Sequence, residues 1–540
     1  YNLLVNEKII HLDCTLRDGG YYTNWNFDRQ LVNDYLNALD KINVDFVELG
    51  FRFLDKNKTK GEFAYTSEKL INNLKIPKKL KLGVMINASD FIDKNESPED
   101  LIKKNFIHKK KSKILLVRIA CHFEELRKIS PIVKFLKKNQ YKVGINVMQI
   151  SDRSTSEIQT AVKLINQLKP NVLYFADSLG SMNKLKTKKI INIIKSGWKG
   201  EIGIHTHDNL GKALENSLAA VNEGIKWVDT TVSGMGRGPG NTKTEIAILE
   251  FKNFNKININ LDPLLNLINR WFSPLQKKYE WGSNLYYYLA GKKGVHPTFV
   301  QEMLGDPTFS PRTILTNIDY LGRIGGKKFA KDLISSKDNI YRTKDVGEWS
   351  PSKEINGRNV LLLGPGDQLK KNSKKIIKFI KKNKPYVVSI NFENYLPSKF
   401  IDARIACHLL RVLSNLREYK DYSIPVILPL NKIKNFLSGK TNKFKMYNFG
   451  IQIKKNVFKF ENNNAILPNS LAISYALAVC NSGKCKKIFI AGFDGYDKSN
   501  PKKNNVDETI DLYKSIKGTA KIISLTPTLY NISKNIFLRK

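Results

Sequence analysis

Residues Ile202–Asn209 read I-G-I-H-T-H-D-N, and the fold follows from where this stretch sits. Gly203 and Ile204 close an apolar, strand-like run. His205 and His207 stand two apart, so on extended backbone both imidazoles leave the same face. Two imidazoles on one side of a strand terminus form half a site for a divalent cation. A lone histidine there would usually be a satisfied core residue. An H-x-H pair that closes an apolar run and leads into Asp208-Asn209 favours a metal. The rest of the chain must then supply the missing ligands at matching positions.

On both sides of this stretch, short β-rich runs alternate with longer amphipathic ones. The expected strands are 9–14, 45–49, 81–86, 114–120, 142–147, 172–176, 201–204 and 227–231. Helical patterns such as 28–39, 132–138, 156–168 and 212–221 lie between them. Strand followed by helix, repeated around the segment, predicts a (β/α)8 barrel over residues 1–260. Such a barrel places its chemistry just after the strands, at their C-terminal ends. Polar residues stand at those places: Arg17-Asp18, Glu48, Asn87, Arg118 with His122, Gln149, Asp177-Ser178 and the two histidines. A glycine-rich loop, Ser233–Asn241, follows the last strand. Packing alone does not account for polar groups at nearly every strand end.

T-L-R-D-G-G at Thr15–Gly20, V-E-L-G at Val47–Gly50, A-D-S-L-G-S-M at Ala176–Met182, H-T-H-D-N-L-G at His205–Gly211 and G-M-G-R-G-P-G-N at Gly234–Asn241 resemble the HMG-CoA-lyase-like, or DRE-TIM, barrels. The branch most similar is that of the 4-hydroxy-2-oxovalerate aldolases, over roughly the first half of the chain. The resemblance implies a metal-dependent lyase or synthase that makes or breaks a carbon–carbon bond through an enolate of pyruvate or another 2-oxo acid. It implies Asp18, His205, His207 and Asn241 as metal ligands, with Mn2+ expected ahead of Mg2+, Co2+ or Zn2+. Arg17 would hold the substrate carboxylate and the developing oxyanion, and Glu48 would orient Arg17 or the metal's water. The residue chemistry agrees, since a carboxylate with two imidazoles suits a Lewis-acid site and a fixed guanidinium suits a planar carboxylate. A simple Arg17–Asp18 ion pair is the alternative, weakened because neighbours on one strand point apart.

Asp177 and Ser178 are expected either to contact substrate or to cap the next helix. Arg118 and Arg237 are substrate-facing candidates, and the loop glycines suit either an anion or a tight turn. The aldolases of this branch carry a histidine three residues after the metal aspartate, where Tyr21 stands here. His122 therefore becomes the leading catalytic base, ahead of Tyr21, Tyr22 and His296. The rival chemistries are an acyl-CoA-dependent Claisen reaction and a non-catalytic binding module.

Residues 261–337 turn helical and aromatic. The resemblance implies a cover over the barrel mouth, with a packing or dimerisation segment as the alternative. Residues 338–358 read as a linker. From Asn359 the run V-L-L-L-G-P-G opens a second α/β domain, 359–540, with strands expected at 387–391, 426–430, 488–491 and 522–525. This is a doubly wound, Rossmann-like pattern, and Gly364, Gly366 and Asp494 mark its ligand crevice. V-L-L-L-G-P-G, L-P-N-S at Leu467–Ser470 and I-F-I-A-G-F-D-G at Ile488–Gly495 resemble Rossmann-like domains of bacterial surface-glycan proteins. That resemblance implies a nucleotide or sugar nucleotide, and a role in sugar or surface-glycan biosynthesis with an aldehyde or sugar-derived acceptor.

Composition bounds the rest. A chain of 540 residues exceeds one ordinary core, and 41% hydrophobic residues with a mean hydropathy of −0.34 suit a globular protein. No apolar run reaches the roughly 20 residues of a membrane span. Five cysteines without paired spacing fit a reducing cytoplasm. The net charge of +41 is spread along the whole chain, so nucleic acid is not expected as a partner. A homo-oligomer is expected.

Overall fold

The computed structural model describes residues 8–534 apart from 55–59, 256–258, 306–308, 310, 328–340, 342, 392–395, 409–411, 413–422, 435–444 and 496–500. It divides into two compact units: residues 1–309 with 321–329, and residues 310–320 with 330–540.

The first unit is a closed barrel of eight parallel strands in sequence order. They are β1 (Ile10–Asp13), β2 (Phe46–Phe51), β3 (Lys81–Asn87), β4 (Ile114–Cys121), β5 (Lys142–Val147), β6 (Val172–Asp177), β7 (Glu201–Thr206) and β8 (Trp227–Thr230). Closure comes from β1 against β8, with Ile10 opposite Trp227 and Asp13 opposite Thr230. Strand alternation sends Leu12, Cys14, Phe46, Leu116, Val172, Tyr174 and Trp227 into the barrel interior. The opposite faces meet the helices. In Arg29–Lys41 the helical period buries Leu31, Val32, Tyr35, Leu36 and Leu39, and Asp28 caps the first turn by accepting from the Gln30 and Leu31 amides. Burying these five side chains contributes on the order of 10 kcal/mol before chain entropy is subtracted.

His11 lies on the outer face of β1, buried, with Nε2 2.5 Å from Thr230 Oγ1 and its ring edge-on to Phe251. Burial lowers its pKa from 6.5 to about 4. Protonation therefore favours the unfolded chain. The His11 contribution is full above pH 6.5 and is lost as the pH falls toward 4. The shift corresponds to about 3 kcal/mol. Urea unfolding at pH 7 and pH 4.5 should show a smaller loss of stability for His11→Gln than for the wild type; equal losses would contradict this assignment.

The second unit holds an eight-stranded sheet, all of its pairings parallel. Its strands are β9 (Asn359–Leu363), β10 (Tyr386–Ile390), β11 (Ala403–Ile405), β12 (Val426–Leu428), β13 (Met446–Asn448), β17 (Lys487–Ala491), β18 (Lys521–Ser524) and β19 (Ser533–Lys534). The order is β13-β12-β11-β10-β9-β17-β18-β19, so the winding reverses beside β9. A small three-stranded sheet of β14 (Gly450–Ile453), β15 (Lys459–Phe460) and β16 (Asn464–Leu467) accompanies it. After Gly366 the chain forms two helices, Asp367–Lys371 and Ser373–Asn383, with a break between them. At the break, the Asn372 side chain donates to the Gln368 carbonyl.

The stretch expected as a linker needs correction. Among its described residues, Tyr341, Trp349 and Ile355 belong to the buried core of the second unit. Trp349 stacks on Tyr447 with centroids 4.5 Å apart. Polar, turn-rich neighbours had hidden these anchors. No helix among the described residues is long and apolar enough to cross a membrane.

Candidate metal centre

β7 delivers both histidines to the upper end of the barrel, buried, with ring centroids 5.0 Å apart and nearly perpendicular. Asp18 arrives from the other side of the chain closure. β1 stops at Asp13, and Thr15–Asp18 is a helical turn rather than strand. Arg17 and Asp18 therefore do not diverge as expected: Arg17 Nη1 donates to Asp18 Oδ1 at 2.5 Å. The ion pair and the site coexist, because the pair uses one Asp18 oxygen and leaves the other. Asp18, His205 and His207 place ligand atoms within 4.8 Å of one another.

Asn241 completes the cluster from the glycine loop, where His207 and Asn241 are bridged as an antiparallel pair. Asn241 Nδ2 donates to the Thr206 carbonyl at 3.1 Å and lies 3.2 Å from His205 Nε2 and 3.4 Å from His207 Nδ1, while Oδ1 faces Gly236 on the side of Asp18. Both Asn241 Oδ1 and Asp18 Oδ2 are buried and have no hydrogen-bond partner. A Cβ built on Gly236 would lie 1.9 Å from Asn241 Oδ1 and 2.7 Å from Asp18 Oδ2. Two bare oxygens thus converge beside two imidazoles. Buried oxygens without donors are costly, and a hard divalent cation satisfies them. The donor set fits. Burial works to raise the Asp18 carboxyl, yet the Arg17 guanidinium, His207 and His205 hold it below the ordinary carboxylate range.

Cys14, His205 and Asp229 form a second cluster within ligand distance. It suits a cation less well. Burial pushes the Cys14 thiol up, so it stays protonated, and Asp229 is already engaged.

Beneath the ligands lies a buried charge network. Arg17 Nε donates to Glu48 Oε2 at 2.8 Å, and Arg17 Nη2 is buried without a partner. Arg118 donates from Nε to Glu48 Oε1 at 2.7 Å, from Nη2 to Glu48 Oε2 at 2.6 Å, and from Nη1 to Asp229 Oδ2 at 2.6 Å. Its guanidinium also covers the Tyr174 ring. Arg118 was expected to face the substrate. It is instead wholly buried and used up one layer below, because its place is mid-strand rather than at the strand end.

Asp177 also stays out of the site. Its two oxygens accept from the Ser181 and Met182 amides in the loop before the next helix, which is capped by Asn183 and not by Asp177 as the alternative expected, and burial pushes its pKa up to about 7. Ser178 takes a different part: its carbonyl accepts from Arg237 Nη2 at 3.2 Å. His122 follows β4, half-buried, with its amide held by Glu125 Oε2. Tyr21 packs on Trp25 and Phe51, with Arg237 against its ring, and burial raises its phenol.

The helical segment reaches this mouth. Trp281 Nε1 donates to the Ser233 carbonyl, and Gln301 Oε1 accepts from the Gly238 amide at 2.9 Å. Gly238 sits so close to Pro297 that a Cβ would approach it to 2.8 Å. His296 opens the helix Pro297–Gly305. Burial lowers its pKa, as do the fields of Arg237, His207 and His122.

A family profile described as HMGL-like matches residues 8–268, which include all eight barrel strands. The 4-hydroxy-2-oxovalerate aldolase of Pelotomaculum thermopropionicum is 26% identical over 338 residues, 60% of this chain and 95% of the relative. The 2-isopropylmalate synthase 2 of Caldanaerobacter subterraneus is 26% identical over 262 residues, 48% of this chain and 65% of the relative. Among solved structures, the N-terminal domain of a "putative aldolase" from Bacteroides vulgatus aligns at 31% identity over 56% of this chain and 98% of that one, with a TM-score of 0.51. The chain belongs to the HMGL-like family.

One residue of this HMGL-like barrel escaped the sequence reading. Asp229 Oδ2 lies 2.9 Å from His205 Nδ1, which fixes the ring so that Nε2 faces Asp18 at 3.8 Å. Against burial, Arg118 and His205 hold the Asp229 carboxyl below its ordinary range. The available signal was strand alternation: Asp229 shares the inward face of β8 with Trp227, where a carboxylate needs a reason. The cradle at Gly236 is also testable. Gly236→Ala should keep the thermal midpoint near wild type while weakening Mn2+ binding by about 10- to 100-fold. Unchanged affinity by calorimetry would contradict the converging-oxygen geometry.

In the second unit, Gly364, Gly366 and Asp494 do come together beside the strand reversal. The Gly366 amide donates to the Gly492 carbonyl, and Asp494 Oδ2 accepts from the Gln368 amide at 3.0 Å. A Cβ on Gly366 would lie 2.4 Å from the Asp494 carboxylate. The glycine is thus required by the aspartate. The same carboxylate already occupies the helix amide that a phosphate would use.

Proposed function

We propose that the barrel is a divalent-metal-dependent carbon–carbon lyase or synthase acting on pyruvate or another 2-oxo acid, in the manner of an aldolase. The convergence of the unpartnered Asp18 Oδ2 and Asn241 Oδ1 beside His205 and His207 carries this reading. These four residues would hold the cation, Mn2+ by preference. Bound there, it supplies Lewis-acid polarisation of the substrate carbonyl.

The chain's own residues do the rest. Arg17 Nη2, buried and unpartnered, offers a donor to the carboxylate and to the oxygen that gains charge on enolisation. Glu48 holds Arg17 by its Nε and so fixes that donor's direction. His122 at the end of β4 is the base that takes the proton of the substrate hydroxyl, in place of the histidine that Tyr21 replaces. Tyr21, kept protonated by burial, donates a hydrogen bond rather than taking the proton. The helical segment on the Gly238 loop limits water at the mouth.

For the second unit we propose a Rossmann-like domain whose crevice lies at the reversal beside β9. Asp494 Oδ1, buried and without a partner, suits a hydroxyl of a ribose or sugar. The phosphates of a sugar nucleotide would lie elsewhere than on the helix amide that Asp494 fills. A role in sugar or surface-glycan biosynthesis follows from this pairing of domains.

The test is product analysis with the full-length, Mn2+-loaded protein. Pyruvate and a panel of short aldehydes, neutral and anionic, should give a new carbon–carbon bond without coenzyme A. Release of free thiol from acetyl-CoA, with no aldehyde product, would move the assignment to Claisen chemistry. Neither activity would leave a binding module.

A further inference from the structure

Arg237 is a cation at this mouth that stands outside the buried charge network. It is half-buried on the glycine loop and has no carboxylate within 4.0 Å among the described residues. It lies against the Ser178 carbonyl at 3.2 Å and His207 Nε2 at 3.4 Å, both from its Nη2, and the Tyr21 ring, 5.7 Å from its guanidinium carbon. Its Nε is buried with no partner.

Charge balance sharpens the point. Arg17, Arg118 and Arg237 face Asp18, Glu48 and Asp229, an even count before any metal is added. The two metal-side arginines are paired within the network; Arg237 is not. A divalent cation on Asp18 makes the region more positive still. A buried positive excess calls for an anion.

We propose that Arg237 is a specificity residue that binds an oxyanion, carboxylate or phosphate, carried by the second substrate. Arg17 Nη2 is the donor for the 2-oxo acid on the metal side. Arg237, beside His207 and against Tyr21, serves the partner molecule. The acceptor is then an anionic aldehyde or ketone rather than a small neutral one. The planar guanidinium offers Nε and a terminal nitrogen in a bidentate fork suited to either anion. This inference rests on the metal-dependent reading of the same site.

Binding, read without turnover, tests it. The full-length protein is loaded with Mn2+ and titrated by calorimetry, with and without saturating oxalate as a planar mimic of the enolised 2-oxo acid. Propionate is compared with propionamide, its uncharged isostere, and methyl phosphate is run as a separate arm. Wild type should bind propionate or methyl phosphate at least about 10-fold tighter than propionamide, the ratio expected of one charge-assisted bidentate pair. The arm that binds names the oxyanion. Arg237→Gln should erase the preference, and Arg237→Lys should restore part of it.

Equal binding of all three probes by wild type would overturn the proposal, as would a preference that persists in Arg237→Gln. Failure of pyruvate enolisation instead would sink the parent reading, and that is measured separately.

Discussion

Asp18→Ala should abolish divalent-cation binding and lower any enolising activity by about 10^3-fold or more, the equivalent of several kcal/mol of lost Lewis-acid stabilisation. The reason is local. Asp18 is the only carboxylate among the clustered ligands Asp18, His205 and His207, so its removal leaves two imidazoles and an amide. It also frees Arg17 Nη1, and that guanidinium can then lean into the vacated space. Asp18→Asn separates the two effects, since it keeps the volume while losing the charge. Calorimetry with Mn2+ should give no measurable binding for Asp18→Ala and strongly weakened binding for Asp18→Asn. Wild-type affinity in either variant would remove Asp18 from the ligand set.

The second large effect lies in the buried network. Arg118→Met should destabilise the barrel by about 3–5 kcal/mol, as expected when one partner of a buried ion pair is removed. Arg118 makes three charge-assisted hydrogen bonds to Glu48 and Asp229 at full burial. Without it, Glu48 keeps only Arg17 and Asp229 keeps only His205. The thermal midpoint should fall by roughly 10 °C or more. Metal binding should weaken too, because Asp229 no longer has a fixed position from which to orient His205. A double variant, Arg118→Met with Glu48→Gln, should recover part of the stability by removing one stranded charge. A midpoint unchanged in Arg118→Met would contradict the network.

The barrel was legible because parallel strands buried on both faces read as short, bounded apolar runs. β5, for example, occupies the expected Lys142–Val147, and the other barrel strands differ from expectation by no more than a few residues. His205 and His207 were legible from their two-residue spacing on a strand, which puts both on one face, whereas Asp18 and Asn241 rested on the family resemblance. Side-chain roles within the strands were harder to read. Arg118 and the strand ends looked alike as polar residues near a barrel mouth, whereas depth along the strand decides between substrate and support. Asp229 lay in W-V-D-T, too short to announce its inward face. In the second unit, three-residue strands such as Ala403–Ile405 carry too little pattern to stand out from loops. Tyr341 and Trp349 were hidden for the opposite reason, as isolated apolar anchors in a polar stretch. Helix breaks such as the one at Asn372 depend on a side chain competing for a backbone carbonyl, which composition does not reveal.

The most direct measurement is deuterium exchange of the pyruvate methyl group, followed by NMR in deuterated water with Mn2+ and the full-length protein. Metal-dependent exchange in wild type, lost in both Asp18→Ala and His205→Ala, is the predicted result. No exchange in the metal-loaded wild type, or exchange that survives both substitutions, would contradict enolisation at this centre.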